Sequence, residues 1–181
     1  MAAITAKGEA RRSALLAAVV RVLERGGPAA VTHRAVAAEA GVPLAAATYY
    51  FASIDDLLVS ALRRATEEQV ALFANLTTPS LEDFARVLYD WTYTNRASAI
   101  AQYELLFLAM RRDSLREAAD LWYRALENAV GSQDAHRSRV AALAIDGLLL
   151  RMLWSGEPST VAGIEAALRD ILEPPTGRTP G

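Results

Sequence analysis

The sequence predicts an all-α chain of about nine helices. An N-terminal three-helix domain with a helix-turn-helix would span residues 1–52, and a C-terminal helical bundle residues 53–181. Three observations point there. No segment alternates apolar and polar residues at period two for long. Apolar residues instead recur at spacings of three and four. Capping residues, glycines and prolines punctuate the chain where those patterns begin and end.

The first helix is expected from Glu9 to Arg25, with Leu15, Leu16, Val19, Val20 and Leu23 on one face and arginines on the other. Gly26-Gly27-Pro28 ends it. Thr32 can cap a second helix by accepting from an unpaired amide of its first turn. Val36, Ala37 and Ala40 give that helix an apolar face. Gly41 suits the left-handed residue that closes a helix, and Pro43 cannot extend it. A third short helix, about Leu44 to Tyr50, completes the pattern that lays its last helix in the DNA major groove.

Ser53-Ile54-Asp55-Asp56 reads as a capping box with Asp in place of Glu, opening a long helix to about Leu76. Leu57, Leu58, Ala61, Ala65, Leu72, Phe73 and Leu76 form its apolar face, and Thr77-Thr78-Pro79 stops it. Ser80-x-x-Asp83 starts a helix to about Arg96, and another runs from Ser98 to Arg112. Ser114-x-x-Glu117 reads as a full capping box for a helix ending near Gly131. The last two are expected over Asp134–Trp154, bounded by Gly156 and Pro158, and Ser159–Leu172, before Pro174-Pro175.

With 181 residues, 52% hydrophobic and 22% charged, the chain can bury a real core. Its net charge of −2 gives no global case for nucleic acid. Residues 1–51, however, carry Lys7, Arg11, Arg12, Arg21, Arg25 and Arg34 against Glu9, Glu24 and Glu39, a net of +3, which leaves −5 for the rest. That asymmetry favours a negatively charged partner at the N-terminal end. The absence of cysteine excludes disulfides and thiolate metal sites. No signal peptide and no uncharged apolar run of spanning length is evident, so a cytoplasmic chain without a membrane partner is expected. The two histidines, His33 and His136, stand in no metal-ligand spacing, and no glycine-rich phosphate loop is present. No catalytic role, metal or cofactor is expected.

The run Thr32-His33-Arg34-x4-Glu-Ala-Gly-Val, then Thr48-Tyr49-Tyr50-Phe51, then Ser53-x-Asp55-Asp56-Leu57-Leu58, resembles the DNA-binding domain of the TetR family of bacterial transcriptional regulators. The likeness covers about residues 9–62 without a gap, and the helical remainder fits that family's ligand-binding and dimerisation domain. Ala101-Gln102-Tyr103-Glu104-Leu105 through Ala109-Met110-Arg111-Arg112 is also similar to a subgroup of these regulators.

The resemblance implies double-stranded DNA as partner, a homodimer, and an unidentified small apolar or amphipathic ligand. The function it implies is a repressor of a palindromic operator, released by that ligand. It implies DNA contacts from Thr32, His33, Arg34, Pro43, Leu44, Ala45, Ala46, Thr48, Tyr49 and Tyr50. Arg34 matches a position that reaches a base in some relatives; base edge, phosphate and neither all stay open for it. Thr48 and Tyr50 stand where relatives often have Tyr and His, and Ala47 and Phe51 are expected to pack inward. Polar base readout by the recognition helix should therefore be sparse.

For the ligand, Trp91, Asn95, Tyr103, Glu104, Phe107, Met110, Trp122 and Tyr123 are candidates, with filling of an ordinary core as the alternative for each aromatic. Gln102 is a further polar candidate, and a buried Glu104 would need Arg111 or a cationic ligand group. For the dimer, the resemblance implies Val140, Leu143, Ala144, Gly147, Leu148, Val161, Ile164 and Leu168. The rival reading is a helical small-molecule-binding protein or enzyme whose helix-turn-helix is incidental. Salt-dependent binding to duplex DNA separates the two, since phosphate contacts require it.

Overall fold

The computed structural model describes residues 6–74, 80–155 and 159–173. Among these the chain is all helical, with nine α-helices: α1 Ala6–Gly26, α2 His33–Glu39, α3 Leu44–Tyr50, α4 Ile54–Ala74, α5 Leu81–Tyr89, α6 Arg96–Leu108, α7 Arg116–Val130, α8 Ala135–Ser155 and α9 Val161–Leu172. The breakers expected at 77–79, at Gly156 and Pro158 and at Pro174-Pro175 fall outside the described residues. So do Leu76 and the side chains of Leu72 and Phe73. The contacts define two compact units, Met1–Glu68 with Ala97–Leu121, and Gln69–Arg96 with Trp122–Gly181.

In the first unit α1 is the spine. Leu15, Leu16, Ala18, Val19, Val22 and Leu23 are buried along it, facing Val36 and Ala37 of α2, Ala47 of α3, and Phe51. Leu57, Leu58, Ala61 and Leu62 of α4 complete this core. Val20, expected on the same face, is only half-buried, and Val22 takes its share.

Helix starts show which polar residues cap and which do other work. Ser53 Oγ accepts the Asp56 amide at 3.0 Å, as its spacing predicts. The Asp56 carboxylate reaches past Ser53 to the Ala52 amide at 3.1 Å, so the reciprocal half of the box is shifted by one residue. The Ser80–Asp83 box forms in full. The Ser114–Glu117 box does not. Ser114 Oγ donates to Asp55 at 2.9 Å, and Glu117 pairs with Arg63 at 2.8 Å. Both side chains serve α4 instead, and α7 starts from a 3₁₀ turn over Asp113–Leu115.

In the second unit, α5 and α9 lie together, with Phe84, Ala85 and Leu88 of the first and Ile164 and Leu168 of the second buried. The single helix expected to reach Arg96 breaks at Asp90–Thr94 into a π-helical turn. Thr92, fully buried there, donates its hydroxyl to the Leu88 carbonyl at 2.6 Å. That competition for helix carbonyls is how Ser and Thr distort a helix, and it leaves no trace in hydrophobic periodicity. Buried on α8 are Ala141, Ala142, Ile145, Leu149, Met152 and Leu153, with one acid among them, Asp146.

Phe51 is 0% exposed and closes the small N-terminal core. Phe51→Ala is expected to destabilise the protein by about 3–5 kcal/mol in denaturant unfolding. A loss below about 1 kcal/mol would mean that this core does not hold the three helices together.

Candidate nucleic-acid interface

The two short helices are joined by a turn with defined chemistry. Thr32 caps α2 in extended conformation, its hydroxyl accepting from the Ala35 amide at 3.1 Å. At the other end Gly41 has φ of +66°, a conformation favourable to glycine. The Gly41 amide donates to the Ala38 carbonyl at 3.2 Å and the Val42 amide to the Ala37 carbonyl at 3.0 Å. That pair of bonds is the Schellman closure, and it sends the chain sharply into Pro43, which stands at the start of α3.

Two contacts then fix α3. His33 donates from Nε2 to the Phe51 carbonyl at 3.0 Å, tying the first residue of α2 to the end of α3. The Arg12 guanidinium lies over the Phe51 ring, 5.5 Å from its centre. Ala47 and Phe51 are fully buried, as their spacing requires.

The outward face is formed by Thr32, Arg34, Pro43, Leu44, Ala45, Thr48 and Tyr49, all exposed, with Ala46 and Tyr50 half-buried. Tyr49 is 82% exposed and meets Tyr50 edge to face at 5.1 Å. One sequence expectation changes here. The half-buried His33 ring is engaged with the Phe51 carbonyl and acts as a brace, where a DNA contact was expected. The Thr48 hydroxyl turns back toward the Ala45 and Leu44 carbonyls at 3.3 and 3.4 Å.

Charge counting missed a further brace. Glu39 accepts from Arg21 at 2.6 Å and also from Arg25, so two of the six N-terminal cations are held within the chain. Both arginines hold the Glu39 carboxyl below its ordinary value. Asp55, in the first turn of α4, accepts from Ser114 and Arg112, and both lower its pKa. Arg64 donates to the Ser13 carbonyl and hydroxyl at 2.6 and 2.7 Å, bracing α4 on α1. No single helix pattern announces these pairs, because their partners lie 14 to 59 residues apart.

The eight ligand candidates fall into both units. In the first, Tyr103 is buried and stacks on Phe107 at 5.9 Å, whereas Phe107 and Met110 are exposed. Glu104 is half-buried with its pKa raised by desolvation, and no ion pair joins it to Arg111 among the described residues. Gln102 is buried with its amide nitrogen unpartnered. In the second unit, Trp91 and Trp122 are buried 5.5 Å apart, and Tyr123 is part-exposed. Asn95 is exposed and bonds the Asp90 carbonyl at 3.2 Å, closing the π-helical turn; it is a cap where a ligand contact was expected. The acid these aromatics meet, Asp146, escaped the sequence reading because it interrupts an otherwise apolar face.

Of the dimer candidates, Val140, Leu143, Ala144 and Gly147 form an exposed stripe on α8 with Leu148 half-buried beside them. Val161 is half-buried on α9. Ile164 and Leu168 are buried within the chain, because α9 turns its apolar face to α5; they are core where an interface was expected.

Two short helices locked by a Schellman turn, presenting one exposed face beside a helical remainder, define a helix-turn-helix DNA-binding regulator. The family described as bacterial regulatory proteins, tetR family, matches residues 15–61, and the tetracyclin repressor-like C-terminal domain matches residues 76–174. The chain belongs to the TetR family of transcriptional regulators. It is 29% identical over 177 residues to the HTH-type transcriptional regulator BetI of Rhizobium meliloti (strain 1021), covering 90% of this chain and 87% of that protein. The multidrug binding protein EbrR complexed with ethidium superposes with a TM-score of 0.77 at 33% identity, covering 89% of this chain and 98% of that one. EbrR is also known complexed with proflavin and with malachite green. A TetR family member from Streptomyces coelicolor A3 gives a TM-score of 0.74 at 32% identity, covering 89% and 97%. No helix among the described residues is long and apolar enough to cross a membrane.

Glu39, Asp55 and Asp83 all have lowered pKa values in the fold. Their contribution is therefore full above the ordinary carboxylate range and is lost as pH falls through the lowered values. Tm should drop between about pH 5 and pH 2, and Glu39→Gln should flatten that drop. An identical pH profile in the variant would show that the Arg21–Glu39–Arg25 brace contributes nothing.

Proposed function

We propose that this regulator is a homodimeric repressor of a palindromic operator, released by a small amphipathic ligand. In this reading residues 1–52 read DNA and residues 53–181 bind ligand and form the dimer. The observation that carries it is the exposed α3 face, with Leu44, Ala45 and Tyr49 turned outward next to Arg34. Each subunit inserts α3 into a major groove, at half-sites about one turn, 34–36 Å, apart. Thr32, Tyr49 and Tyr50 set position on phosphates. Leu44, Ala45 and Ala46 approach thymine methyls, and Arg34 donates to a guanine edge. The exposed stripe of Val140, Leu143, Ala144 and Gly147 on α8 supports the dimer, because small residues let a second helix approach closely.

Release needs a path from ligand to α4. Asp55 in the first turn of α4 is bonded to Arg112 and Ser114, which lie just beyond α6. A ligand that displaces residues 97–114 thereby pulls on the helix following the recognition helix. The shift is bounded by the ligand's preference for one state over the other. EbrR's complexes with ethidium, proflavin and malachite green support an amphipathic aromatic ligand.

Selection of duplexes by the purified protein tests the operator: a two-fold symmetric site is expected, and asymmetric single sites would sink the dimeric reading. Arg34→Ala should relax preference at one position per half-site, costing about 1–3 kcal/mol there. Uniform weakening on every sequence would reassign Arg34 to a phosphate. Arg112→Ala should keep operator affinity while reducing the ethidium-induced loss of that affinity about 2- to 30-fold. Undiminished induction would remove the Arg112–Asp55 link from the mechanism.

A further inference from the structure

We propose that Lys7 and Arg11, on the first turns of α1, form a clamp for the DNA backbone beside α3. This rests on the DNA-binding reading above and adds the residues that supply its phosphate-neutralising charge.

The six cations and three acids of residues 1–51 leave few charges uncommitted. Arg21 and Arg25 are held by Glu39. Arg12 lies over the Phe51 ring, donates to the Ser60 hydroxyl at 3.5 Å and stands 4.0 Å from Glu9. Glu24 accepts from the Ser98 hydroxyl at 2.5 Å. Lys7, Arg11 and Arg34 remain, all exposed and with no hydrogen bond or ion pair among the described residues. Duplex binding draws its salt-dependent part from cations that displace counterions from phosphates. Thr32, Tyr49 and Tyr50 are neutral donors, which position a backbone without neutralising it. Arg34 is assigned above to a guanine edge. The backbone charge therefore falls to Lys7 and Arg11.

Their placement suits that task. Four residues apart, they share one face of α1, while Glu9, two residues from each, lies on the opposite side. A like-charged pair at this spacing is mutually repulsive in the isolated chain, and a row of phosphates relieves it. Gly8, between them, is buried, so this turn of α1 is seated on the first unit. Arg12, next to Arg11, reaches the ring of Phe51, the residue that ends α3. The turns bearing Lys7 and Arg11 thus lie alongside the closing end of the recognition helix, where Tyr49 is exposed. Contacts of this kind hold the duplex in place and are indifferent to its sequence.

The test is fluorescence anisotropy of the full-length protein on labelled duplexes of several unrelated sequences, from about 50 to 200 mM NaCl. Wild type should bind all of them, with affinity falling steeply as salt rises. Lys7→Ala/Arg11→Ala should weaken every duplex at least about fivefold at low salt and lower the salt slope by about 2 per bound subunit. The charge-matched variant Arg124→Ala/Arg139→Ala, altered on α7 and α8, should keep the wild-type slope. Circular dichroism and Tm verify that both variants fold. An unchanged slope in Lys7→Ala/Arg11→Ala overturns the proposal and leaves the DNA-binding reading standing. An equal fall in both variants also overturns it, because net charge then accounts for the loss. A loss confined to one duplex overturns it by making the contacts base-specific. Wild type binding no duplex overturns the proposal together with the DNA-binding reading. Should the alanine variant fail to fold, Lys7→Gln/Arg11→Gln is read by the same slope.

Discussion

Helices of seven residues do not hold themselves together in water, and α2 and α3 are each that short. Their existence and mutual angle depend on one enclosed contact set around Phe51. The ring is buried against α1 under the Arg12 guanidinium, and the carbonyl of the same residue accepts from His33. Phe51 thus joins three elements through its side chain and backbone at once. The Gly41 turn fixes the direction of entry into α3, and Phe51 fixes where α3 stops. Everything that faces outward between those points inherits its position from them.

The charged residues around this centre act mainly as internal bracing. Arg21 and Arg25 converge on Glu39, Arg64 ties α4 to Ser13, and Arg112 with Ser114 holds Asp55. Exposed ion pairs of this kind contribute modestly to stability. Their value here lies in geometry, since each joins helices that are distant in sequence. The cations left facing outward in the motif, Arg34 foremost, are correspondingly few.

How much of this was legible in the sequence depended on the range of the interaction involved. Local signals read well: the Thr32 cap, the Gly41–Pro43 turn, the Ser80–Asp83 box and the inward Ala47–Phe51 pair all depend on neighbours within five residues. Signals with two competing uses read poorly. Ser114 and Glu117 carry the spacing of a capping box, yet Asp55 and Arg63 compete for them and win. Ile164 and Leu168 carry the pattern of an interface helix, but α5 covers them first. Thr92 and Asp146 were missed because an isolated polar residue in an apolar helix face does not reveal whether it kinks, caps or binds. That is decided by what the remainder of the chain brings near it.

The plainness of the recognition helix has a mechanical corollary for the DNA. Where Ala45 and Ala46 stand, the surface offers methyl groups and few hydrogen-bond donors. With these residues at the bases, as proposed, direct pairing discriminates base identity poorly, and part of the selectivity comes from how willingly the duplex conforms to the protein. On the proposed dimeric reading, steps that bend or narrow easily lower the cost of fitting two half-sites, including at base pairs no side chain touches. On that reading the best operators are distinguished partly by the flexibility of their central spacer, a property of the nucleic acid that no amino acid in the chain specifies.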